Sequence, residues 1–159
     1  MKEIVLWSYI SEALKAGNIP PEDEFCRIIL LRMAIKAAHN AYCPYSKFQV
    51  GAAMLTDRGA AYEGCNVENV MYNGMSHAEL TAISHAIVKE GPGMKIVSMV
   101  IWTPTDIPTP SCGGCRQLIR EHAECQSTMI WSYCKHPKVA PLGLTVEELL
   151  PNSFGPEML

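Results

Sequence analysis

The 159-residue chain sets 13 Lys and Arg against 16 Asp and Glu, a formal net charge of −3. With 48% hydrophobic and 18% charged residues it reads as one globular domain with a real core, not a disordered segment. The acidic balance argues against nucleic acid as a partner, and no stretch approaches the ~18 uninterrupted apolar residues of a membrane span.

In chain order, Ile4, Trp7, Ile10 and Leu14 recur at helical spacing over residues 3–16. Ser8, Ser11, Glu12 and Lys15 interrupt this apolar run, so it lacks the core of a secretion signal. The seven cysteines are therefore expected as reduced cytoplasmic thiols, some of them metal ligands. Gly17 followed by Pro20 and Pro21 ends the first helix. A second helix is expected over residues 23–42, with Ile28, Leu31, Ile35 and Ala38 on its apolar face. Residues 1–24 read as a helical extension, and residues 25–159 as the main domain.

Alternation at Phe48, Val50, Ala52 and Met54 predicts a strand, Asp57-Arg58-Gly59 a hairpin turn, and residues 60–65 the returning strand. An Asn-rich loop leads to a helix over 77–90. Residues 96–102 form a continuous apolar run, as in a strand buried on both faces. A Pro-rich loop, a helix from Cys112, a strand over 128–133 and a capping box at Thr145-Val146-Glu147-Glu148 complete the pattern. The expected fold is α/β, with one mixed sheet of about five strands between helical layers.

His77-Ala78-Glu79 and Cys112-Gly113-Gly114-Cys115 carry the chemistry. Each motif opens a helix after a loop, so two helix N-termini can converge and stabilise thiolates there. One imidazole and two thiolates leave zinc a fourth position for water, whose pKa the metal lowers toward neutrality. Glu79, two residues beyond His77, is placed as proton carrier rather than ligand. A Cys-x-x-Cys at a helix start is also a redox-dithiol arrangement, but nothing else here resembles a thioredoxin unit. Cys26, Cys43, Cys65, Cys125 and Cys134 read as buried small apolar residues.

The spacing His-x-Glu followed by Cys-x-x-Cys marks zinc nucleobase deaminases. The resemblance extends further, through Ala41-Tyr42-Cys43-Pro44-Tyr45-Ser46-Lys47-Phe48, Gly64-Cys65-Asn66-Val67-Glu68-Asn69, Cys112-Gly113-Gly114-Cys115-Arg116-Gln117 and Thr145 to Pro151 with Phe154-Gly155-Pro156-Glu157. Over residues 25–156 the chain resembles the short-chain, homotetrameric cytidine deaminases. That resemblance implies a zinc ion held by His77, Cys112 and Cys115, with Glu79 as catalytic acid and base. It implies that Phe48 packs on the pyrimidine, Asn66 and Glu68 hold the ribose hydroxyls, and Tyr72 and the backbone at Ala78 meet the substrate. Tyr45 and Phe154 match aromatic positions near the pocket, some of which the family draws from a neighbouring subunit. The implied partner is a small nucleoside, in a cytoplasmic homotetramer serving pyrimidine salvage.

Three features depart from that family's pattern. His77 stands where short-chain members carry cysteine, and Leu80 where they carry arginine. The changes are coherent: a third thiolate would make the zinc site anionic and call for a nearby cation, whereas an imidazole leaves it neutral. Ser111 stands where the family places proline, in the loop beside the departing amine. The third is the extension before residue 25. An alternative substrate is a modified or N4-substituted cytidine or a blasticidin-type aminopyrimidine; an alternative class is a non-catalytic zinc-stabilised module.

Overall fold

A computed structural model describes residues 24–71 and 74–159. The helix expected over 3–16 and the position of Tyr72 lie outside the described residues. The elements are α1 (Glu24–Ala38), β1 (Gly51–Thr56), β2 (Ala61–Cys65), α2 (Ala78–Glu90), β3 (Ile96–Trp102), α3 (Gly113–His122), β4 (Met129–Tyr133), β5 (Leu142–Thr145), α4 (Val146–Leu149) and a final 3-10 turn, Pro156–Met158. The strands form one sheet in the order β2-β1-β3-β4-β5. Only β3 and β4 run parallel; the other pairs are antiparallel.

Strand periodicity divides the core in two. Ala52 and Met54 of β1 point to the face packed by Ala82, Ile83 and Ala86 of α2, Ile119 of α3 and Leu149 of α4. Ala53 and Leu55 point the other way, to Leu30 and Ala34 of α1. Helices thus cover both faces, and β1 is buried along its whole length.

The expected apolar face of α1 is buried only in part: Ala38 is buried and Leu31 packs against the core, but the buried stripe is otherwise another one. Cys26, Leu30, Ala34, Ala37 and Ala38 are buried, whereas Ile28 is exposed. The reason is close approach: a Cβ on Gly51 would lie 1.8 Å from the Ala34 carbonyl oxygen. Small residues let the helix backbone sit against the strand, and the larger Ile28 is turned outward. On the other sheet face a Cβ on Gly64 would lie 2.3 Å from the Ala82 nitrogen, so α2 seats equally close.

The register positions the site. Gly51 pairs with Cys65 on one side and with Trp102 on the other. The segment entering β1 and the segments leaving β2 and β3 therefore emerge at one end of the sheet. Ligands of open α/β sheets sit at such an end, outside the carboxyl ends of the parallel strands.

Candidate active site

Two helix N-termini meet at this end. His77 is the N-cap of α2 and Cys112 the N-cap of α3, both in extended backbone, and neither side chain caps its own helix. Their side chains turn toward each other instead. His77 Nδ1 lies 3.4 Å from Cys112 Sγ and 3.3 Å from Cys115 Sγ. Among the described residues these three form the one group of potential metal ligands, with donor atoms within 4.8 Å of one another. Tetrahedral zinc bonds of about 2.0 Å to nitrogen and 2.3 Å to sulfur imply N-to-S edges of about 3.5 Å, which these distances approach.

Burial pushes the Cys115 thiol far up, and the neighbouring Glu79 carboxylate and Cys112 push it further. A bound divalent ion is what makes the thiolate favourable in such surroundings. Glu79 lies in the first turn of α2 and is buried at 4% exposure.

His77, Glu79 and Cys112 form part of the wall of a cavity of about 410 Å³, the size range of small-molecule sites. Phe48, Asn66, Glu68 and the backbone at Ala78 also line it. Phe48 is not a core residue of β1, as its alternation suggested; it precedes the strand and is 39% exposed. Lys47 holds positive φ (56°) before it, so the chain turns sharply there, with the Phe48 N–H donating to Ser46 Oγ at 3.0 Å.

Asn66 and Glu68 first of all shape this loop. The Asn66 amide acts as a substitute strand partner: Oδ1 accepts from Val50 N–H at 2.8 Å and Nδ2 donates to the Phe48 carbonyl at 2.8 Å. Glu68 accepts from the backbone N–H groups of Tyr45 (3.0 Å) and Ser46 (3.2 Å) and from the Ser46 hydroxyl. The amide keeps one N–H and one lone pair, and the carboxylate about one lone-pair site, for a ligand. Ser46 had no sequence signal, because its partner lies 22 residues away.

The Ser46 hydroxyl, assisted by both N–H groups, holds the Glu68 carboxyl below its ordinary range against the effect of burial. A carboxyl lowered on folding contributes stability above its unfolded pKa and loses it as pH falls through the folded one. Glu68→Gln is expected to lower the thermal midpoint at neutral pH, with the gap to wild type closing as pH falls below the ordinary carboxylate range. A gap that is constant with pH in melting scans would contradict this.

Tyr45 (62%) and Phe154 (57%) are exposed in the single chain. Of the cysteines expected to be buried, Cys26 and Cys134 are, Cys43 and Cys65 are half-buried, and Cys125 is exposed. Hydrogen bonds to Ser127 and Thr128 draw the Cys125 thiol to the surface and lower its pKa. No described helix is long and apolar enough to cross a membrane.

A family model for the cytidine and deoxycytidylate deaminase zinc-binding region matches residues 27–132. A cytidine deaminase of Halalkalibacterium halodurans is 37% identical over 131 residues, spanning 82% of this chain and 96% of that protein. One from Mycobacterium tuberculosis is 38% identical over 122 residues, spanning 77% and 84%. The crystal structure of a Burkholderia pseudomallei cytidine deaminase matches with a TM-score of 0.72 at 32% identity, covering 79% of this chain and 96% of that one. With a zinc-compatible donor set in the matched region and identity well above 30% across most of both sequences, the chain belongs to the zinc-dependent cytidine deaminase family.

Proposed function

We propose that this chain converts free cytidine and deoxycytidine, with water, to uridine or deoxyuridine and ammonia, using His77, Cys112 and Cys115 to hold zinc. One observation carries the reading: His77, Cys112 and Cys115 bring their donor atoms within 4.8 Å of one another, and His77 and Cys112 line a cavity together with buried Glu79 and with Phe48, Asn66 and Glu68. Bound zinc supplies Lewis-acid activation of a water molecule near neutral pH. The protein's own groups do the rest. Asn66 and Glu68 take the sugar hydroxyls with their remaining hydrogen-bonding capacity, and Phe48 stacks on the base. This orientation brings C4 and its amino group to the wall of Glu79. Glu79 takes one proton from water as its oxygen attacks C4 and passes it to N3; it then takes the second proton from the C4 hydroxyl and gives it to the amino nitrogen, which leaves as ammonia as the C4 carbonyl forms. The N–H groups at the start of α2 and α3, near Ala78 and Cys112, offer preorganised donors to the charge that develops on oxygen. A site whose polar groups are committed to hydroxyls discriminates against sugars that lack them.

The assembly is a homotetramer in this reading. Tyr45, Phe154, Tyr42, Val70 and Met71 expose apolar surface on the single chain. A neighbouring chain covers such surface and lends aromatic side chains to the pocket. The free thiols of Cys43, Cys65, Cys112, Cys115, Cys125 and Cys134 suit the reducing cytoplasm, where the reaction recovers pyrimidines for reuse. Tyr72 belongs to the substrate loop, and residues 1–24 to an extension outside the catalytic domain.

The test is product analysis on the zinc-loaded protein. Cytidine should yield uridine and ammonia in equal amounts, from a species sedimenting at the mass of four chains. Zinc-loaded protein that yields neither product from cytidine or deoxycytidine would overturn the reading.

A further inference from the structure

Ser111 directly precedes Cys112 and lines the cavity beside it. Its backbone is fixed: Arg116 Nε donates to its carbonyl at 2.7 Å, and Arg116 Nη1 also donates to the Leu149 carbonyl at 3.1 Å. The side chain is buried at 5% exposure, and Oγ has no hydrogen-bond partner. Among the other cavity hydroxyls, those of Thr103, Thr109 and Ser46 are engaged, while Ser76 is only half-buried and so open to water. Thr103 Oγ1 bonds Thr105 Oγ1 at 2.6 Å and the Tyr133 carbonyl at 3.3 Å. Thr109 Oγ1 donates toward Thr105 Oγ1 and the Ile107 carbonyl, both at 3.2 Å. Ser46 is committed to Glu68. A buried hydroxyl without a partner costs stability, and such groups in a folded chain call for an explanation.

We propose that Ser111 is a specificity-determining residue of this deaminase, its hydroxyl forming a hydrogen bond with the exocyclic nitrogen of the pyrimidine. The inference rests on the deaminase reading and goes beyond it. With sugar hydroxyls at Asn66 and Glu68, the amino end of the base points to the wall formed by His77, Glu79 and Cys112, where Ser111 is the unpaired polar neighbour. A hydroxyl both donates and accepts. It accepts from the amino N–H of the substrate and stays a partner as that nitrogen is protonated and leaves as ammonia. The site thereby favours a base with hydrogen on its exocyclic nitrogen.

Ser111→Ala removes the hydroxyl and little else. The variant is expected to keep its zinc and to melt at or above the wild-type temperature, since it loses only an unpaired polar group. Its kcat/KM for cytidine should fall about tenfold. Inhibition by the pyrimidin-2-one ribonucleoside, which has no exocyclic nitrogen, should change by less than about twofold. A cytidine kcat/KM within about twofold of wild type would overturn the proposal. So would an equal loss for both ligands, or a lowered melting temperature, because each marks a structural role. Wild-type protein that fails on cytidine is a different result: it overturns the deaminase reading before any variant is compared.

Discussion

Glu79→Gln lowers kcat for cytidine by at least about a thousandfold while zinc stays bound, because glutamine keeps the volume but cannot carry a proton. Glu79 is buried in the first turn of α2 beside Cys115, where its charge helps push the thiol up. Removing that charge eases formation of the Cys115 thiolate, so zinc affinity should be equal or tighter in the variant. Steady-state rates with metal analysis on the same sample check both halves. Retained turnover would assign the proton transfers to another group. Loss of zinc together with activity would show that Glu79 supports the ligands rather than the reaction.

Cys115→Ala should be more disruptive. It removes a buried ligand, leaves His77 and Cys112 as the two remaining donors, and is expected to reduce turnover to background. It also removes the stabilisation that metal binding to the folded state provides, on the order of several kcal/mol for a tight site in excess metal. The wild-type melting temperature should therefore drop on adding a strong chelator, and the variant's should not respond. X-ray absorption at the zinc edge of the wild type should show nitrogen and two sulfur ligands with a lighter fourth neighbour. Four sulfur ligands would identify a closed structural site.

Much of this was readable in the sequence wherever the signal is local. The apolar run of residues 96–102 is β3, and the capping box at Thr145 opens α4, with the Thr145 hydroxyl and Glu148 carboxylate both bonded as the motif requires. The Gly59 hairpin turn, with φ of 72°, connects β1 and β2. The two helix N-termini do converge, because the loops that carry His77 and Cys112 leave β2 and β3 at the same end of the sheet, where both strands pair with Gly51 of β1.

What the sequence hid depends on distant partners. The buried face of α1 is set by Gly51 across the sheet, and α1 itself has almost no amphipathic asymmetry to read. Strand β5 has four half-buried residues at the sheet edge, and its Gly143 fits against the Trp131 ring of β4. Such a segment shows no run or alternation until its neighbour is in place. A ligand role for Asn66 and Glu68 is implied by resemblance alone, and their bonds to Val50, Phe48, Tyr45 and Ser46 emerge only once the loop has folded.

The central claim is that zinc bound at this cavity makes the chain a cytidine deaminase. Its most direct test is the initial rate of cytidine absorbance loss during stepwise zinc addition to chelator-stripped protein. The account predicts a rate that rises in proportion to bound metal and levels off at one zinc per chain, the capacity of the single ligand group among the described residues. Protein filled with zinc at that stoichiometry, folded, and inert toward both cytidine and deoxycytidine would contradict it.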